Sequence, residues 1–138
     1  MTAAAAAPPT HADGMLFVEY YKLWDTPRDS EPWTLLHRLN AEGAFEDAAA
    51  VAARVPRSSP DYGLFDRVCC SFEQAGVLMR NGLLHPDLYF EGWVSPRPVW
   101  NLVAEAVRGL RETNAEAYVN FEWLAERYDE WRAARAPR

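Results

Sequence analysis

Three ionisable side chains stand beside apolar stripes in this chain: Glu73, Arg111 and Glu122. All three fall between Leu64 and Trp131, where apolar residues recur at helical spacing. A carboxylate set against apolar surface is partly desolvated, so it must find a partner or its pKa rises. Glu73 has Cys69, Cys70, Gly76 and Val77 at three and four residues, which puts it between two apolar arcs of one helix. Arg111 shares a flank with Trp100, Ala104 and Val107, and Glu122 lies on the side of Tyr118. The spacing predicts that Arg111 pairs with Glu73 or Glu122 across a helix interface, because the planar guanidinium meets a carboxylate with two hydrogen bonds. One outcome is a buried ion pair that fixes helix register. The other is a small polar pocket, walled by Trp100, for an anion or polar metabolite. Acid/base catalysis by Glu73 or Glu122 ranks last, since enzymes converge more polar groups.

Other chemistry finds less support. Cys69 and Cys70 are adjacent and point about 100° apart on a helix, a poor geometry for a disulfide or a chelate. They read as small hydrophobes in a reducing compartment. His11, His37 and His85 share no turn with each other or with a cysteine, so no metal site is expected. No G-x-S-x-G or phosphate-cradling glycine loop occurs, and no cofactor is implied. Trp123 falls about 160° from the apolar stripe of its helix. If exposed together with Val119, it would form a partner surface.

With 138 residues the chain fits one domain. Its hydrophobic content of 49% and aromatic content of 13% supply a core. A net charge of −6 repels phosphate backbones and argues against nucleic acid. The arginines at 127, 132, 135 and 138 read as cations favoured at a helix C-terminus. Only Lys22 is lysine among the basic residues, a bias that fits a high-GC bacterial genome. No apolar run is long enough to span a membrane, and the start lacks a secretory pattern. Cytoplasmic placement follows as the expectation.

The elements that must carry these residues are all helical. Residues 1–14 read as a disordered tail, rich in Ala and Pro. A helix over 15–24 has a stripe of Leu16, Tyr20, Leu23 and Trp24, and Asp25-Thr26-Pro27 stops it. Ser30 is the expected cap of the next, to about Asn40. Residues 44–55 form an Ala-rich helix with a shallow stripe that should pack loosely. After the 56–60 loop, a helix from Asp61 is apolar over a wide arc and so central, ending at Asn81-Gly82. A short helix follows His85-Pro86, another opens at Ser95-Pro96, and Asn114 is the expected cap of the last. The fold expected is an all-α, single-domain bundle of about six helices over 15–135.

The order of these motifs resembles a widespread bacterial family of small helical proteins of unknown function. The resemblance runs through Leu23 to Pro27, Phe72-Glu73, the 81–84 Asn-Gly-Leu-Leu turn, Trp100 to Arg111 and the 121–125 Phe-Glu-Trp-Leu-Ala segment. It implies an all-α fold and weight on Glu73, Arg111 and Glu122, and it transfers no activity. Many members carry an N-terminal membrane helix, from which this chain departs, and 44–55 reads as an insertion. The function expected is a protein–protein interaction or regulatory module, with a partner protein or a second copy as ligand. The alternative is a pocket at Glu73, Arg111 and Trp100 for a small polar or anionic ligand.

Overall fold

The computed structural model describes residues 7–135. Its described residues hold seven α-helices and one turn of 3-10 helix, with no strand. The helices are α1 (His11–Trp24), α2 (Ser30–Ala41), α3 (Ala48–Arg54), α4 (Pro60–Arg80), α5 (Pro86–Gly92), α6 (Pro96–Leu110) and α7 (Val119–Ala134). The 3-10 turn, Pro27–Asp29, joins α1 to α2.

The 21 residues of α4 run through the centre. Its wide apolar arc gives it neighbours on several sides: α7 and α2 pack directly against it, and α6 covers α7. Phe65, Phe72, Tyr89 and Phe121 are among the largest fully buried side chains. Phe72 stacks on Phe121 at 4.6 Å, and Trp100 meets Phe121 edge-on at 5.1 Å. Burying such rings is the largest favourable term available to a chain of this size.

Local signals set most boundaries. Ser59 accepts from the Tyr62 amide at the start of α4, with Pro60 in the first turn. At its end Gly82 takes φ +72°, a left-handed conformation that glycine adopts without steric cost. His85 caps α5 by accepting the Asp87 amide on Nδ1.

Four expectations are corrected. First, α1 begins at His11, so residues 11–14 are helical. Thr10 and Asp13 form a reciprocal capping box there, which outweighs the Ala/Pro composition upstream. Residues 1–6, in the expected tail, lie outside the described residues. Second, α1 turns Phe17, Tyr20 and Trp24 inward, while Leu23 is exposed. Third, α3 starts at Ala48 behind the Asp47 cap, which accepts from the Ala50 amide, so Phe45 packs from a turn. Fourth, Ser30 and Asn114 do not cap helices. The 3-10 turn takes the first place, and Asn114 instead accepts the Glu116 amide in a turn before α7.

Candidate functional site

The N-terminus of α7 has no cap of its own. Tyr118 precedes it at φ 51° and offers no side-chain bond to the helix. The missing acceptor comes from α4. Glu73 accepts from the Asn120 amide at 2.7 Å, the Phe121 amide at 3.1 Å and Asn120 Nδ2 at 2.9 Å. A carboxylate at a helix N-terminus meets unsatisfied N–H groups and the positive end of the helix dipole, which answers the desolvation of Glu73. The approach is close because position 76 is glycine: a Cβ there would sit 2.3 Å from the Asn120 carbonyl oxygen. Tyr118 itself donates to Asp66 of α4 through a short hydrogen bond.

Arg111 lies just past the end of α6. Its Nε donates to the Ala117 carbonyl at 3.0 Å, and Nη1 meets Glu122 Oε1 at 3.1 Å. Its guanidinium carbon sits 5.6 Å from the Trp100 ring centre. Nη2 is buried with no acceptor. Of the two carboxylates offered by the sequence, the structure gives Arg111 the nearer, Glu122. Glu73 is engaged elsewhere. The three residues therefore act around one feature, the entry into α7, as two separate locks. Trp100 is buried as a wall of the core, against Phe121 and the Arg111 guanidinium. None of the described cavities is lined by Glu73, Arg111 or Trp100.

Val119 and Trp123 are both half-buried. The indole packs on the core and carries the Arg80 guanidinium 5.6 Å above its ring. Open apolar surface lies instead on α1, where Met15, Val18 and Leu23 are each about half exposed.

A second acidic group, which apolar periodicity does not single out, is buried before α2. Asp29 is 7% exposed. Its carboxylate accepts from the Thr26 amide at 2.8 Å, the Thr26 hydroxyl at 2.7 Å and the Arg67 guanidinium. Burial pushes its pKa up, but the bonds from Arg67 and Thr26 outweigh that and hold it below the ordinary value. Arg67 also lies 4.8 Å from the Trp24 ring centre. The readable signal was the three-residue spacing of Thr26 and Asp29, the spacing of a capping box.

The thiols are neutral. Burial raises Cys69 well above its ordinary value, and burial with Asp66 alongside pushes Cys70 up to about 12. No group of three or more His, Cys, Asp or Glu residues is placed to hold a metal among the described residues. Arg127 pairs with Glu130, and Arg135 with Asp87 and Glu91. No helix among the described residues is long and apolar enough to cross a membrane.

Two larger hollows remain. One, of about 470 Å³, lies between α3, α4 and α6, walled by Ala48, Val51, Ala52, Phe65, Ala106 and Leu110. The other, of about 560 Å³, opens where α1 ends beside the α5–α6 loop.

Fold and site define an all-helical protein in which the charges expected to do chemistry hold one helix against another. The family described as "Domain of unknown function (DUF4760)" matches residues 9–128, and the chain belongs to it. No curated protein matches the chain, and no solved structure does.

Proposed function

We propose that this chain is a helical interaction module whose contact face is the outer side of α1. One observation carries the reading. Met15, Val18 and Leu23 are 57, 49 and 51% exposed there, on a helix whose opposite side is packed into the core. Large apolar side chains on the outward half of a helix, flanking a charged pair, suit a protein partner better than solvent. Glu19 and Lys22 pair at 3.2 Å on the same helix and give the face both signs of charge. The engagement of Glu73, Arg111 and Glu122 in helix locking supports binding over acid/base catalysis. The test is cross-linking in the native host, comparing the natural chain with a Met15→Ser, Val18→Ser double variant. The variant should keep its melting temperature and lose its cross-linked partner. Retention of the same partner by the variant would refute the α1 face.

A second reading, a small-molecule binder, is favoured by the 470 Å³ apolar hollow beside α3, within the size range of ligand pockets. It moves the ligand away from Glu73, Arg111 and Trp100. Binding of an apolar dye that Ala52→Phe abolishes would support it; dye binding untouched by that variant would refute it.

A further inference from the structure

We infer that the 560 Å³ cleft at the end of α1 is a binding site for an organic cation of the alkylammonium class. It is independent of the α1 face. Three tryptophans and a tyrosine line this cleft: Trp24, Trp33, Trp93 and Tyr21. Tyr21 and Trp93 meet at 86° with ring centres 5.2 Å apart, so they form a corner. Aromatic faces are electron-rich and attract a cation held within about 6 Å of the ring centre. This wall already holds one: the Arg67 guanidinium lies over Trp24.

The charged residues that line the cleft itself are all acidic, while Arg67 and Arg135 stand outside its lining. Asp25, Asp29 and Glu91 line it, and no Lys, Arg or His does. Asp29 is answered by Arg67 and Glu91 by Arg135. Asp25 has no cationic partner among the described residues, and its closeness to the Tyr21 hydroxyl pushes that phenol's pKa up. The cleft is thus an aromatic corner with one uncompensated carboxylate at its edge. An anion would meet that carboxylate and the negative ring faces, and a neutral apolar molecule would leave it unused. A weakly hydrated alkylammonium group satisfies both. The cation is either a free small molecule or the alkylated side chain of a partner's lysine.

Titration calorimetry of the full chain with choline and with 3,3-dimethylbutan-1-ol, its uncharged carbon analogue, tests the site. Choline is expected to bind about tenfold tighter, from stacking on two or more rings. Asp25→Asn alters an exposed side chain and should weaken choline several-fold while leaving the melting temperature unchanged. Tyr21→Ala should weaken choline several-fold with a small fall in melting temperature, because the ring also packs on Phe17 and Trp93. A short peptide carrying trimethyl-lysine identifies the source: tighter binding than choline assigns the cation to a partner protein, and equal binding assigns it to a free molecule. Equal affinity for choline and the alcohol, or choline binding untouched by both variants, would overturn the inference. So would the absence of choline binding at tens of millimolar.

Discussion

The α4–α7 and α3–α6 interfaces were built by opposite means. Between α4 and α7 the helices touch closely, stacked rings fill the space, and Glu73 binds across the gap. Between α3 and α6 the contact is made by small residues, Ala48 against Gly109, and a hollow of about 470 Å³ is left beside it. Close approach through glycine occurs in both. What differs is whether large side chains and a hydrogen-bonding anion surround the point of contact. Tight backbone approach without them brings two helices together and leaves space at their side. The lesson is that packing density is decided by the residues flanking a close approach, since voids forfeit dispersion contacts.

The largest break in this contrast should come from Gly76→Ala. Its methyl would collide with the Asn120 backbone, which cannot move without shifting α7. A loss of about 3 kcal/mol is expected, at the upper end of overpacking costs. Thermal unfolding followed by circular dichroism measures it, and a loss below that of Gly109→Ala would invert the comparison.

Next in size is Glu73→Ala. It strands the Asn120 and Phe121 amides at a half-buried helix end. About 2 kcal/mol should disappear, and Glu73→Gln should recover part of it by keeping an acceptor oxygen. Urea unfolding of the two variants separates these outcomes; equal stabilities would show that the charge matters and the acceptor does not.

Alkaline pH should then loosen α4–α7 selectively. Cys70 ionises at its ordinary 9.0 when unfolded and at about 12 in the fold. The folded state holds the proton more tightly, so its stabilisation is complete below the unfolded value and is lost as pH rises between the two. Burial beside the Cys69, Cys70 and Asp66 groups raises the Tyr118 phenol in the same direction. Melting temperature should fall between pH 9 and 12. Amide exchange near 118–121 should speed up before that in α3; simultaneous loss of both would contradict the contrast.

The smallest effect is expected for Gly109→Ala, where the new methyl meets Ala48 Cβ at 2.8 Å. The seven-residue α3 borders a void and can shift, so the cost should be about 1 kcal/mol. A cost matching that of Gly76→Ala would mean that α3 is as firmly seated as α7.

The two interfaces also differ in what the sequence revealed. The centrality of α4 was legible because its apolar arc is too wide for a one-sided helix. Its Ser59-Pro60 start and Asn81-Gly82 end are local signals. Loose packing of the Ala-rich segment was legible too, since alanine carries little surface to bury. The role of Glu73 was only half legible: periodicity located a carboxylate in need of a partner, and residue type nominated Arg111. The actual partner is backbone, and backbone amides look alike at every position. The same blindness explains Asn114, whose cap-like identity serves a turn, and Asp29, whose neighbour Arg67 comes from a different helix. The cleft of Trp24, Trp33 and Trp93 joins three separate elements, so no spacing rule reaches it.

The borrowed cap on α7 bears on the order in which the chain takes shape. Glu73 stands 47 residues before Asn120. During synthesis α4 emerges before α7 and carries an acceptor with nothing to bind, while α7 follows and needs that acceptor for its opening turn. Nucleating a helix is costly, and most of a helix's stability in a protein comes from packing against its neighbours. The closing helix therefore gains its first turn by docking, and the long-range contact and the local structure form in one event. Chain ends released early, short of α7, would leave the Phe72 face of α4 open to solvent. Docking of α7 is the step that covers this face.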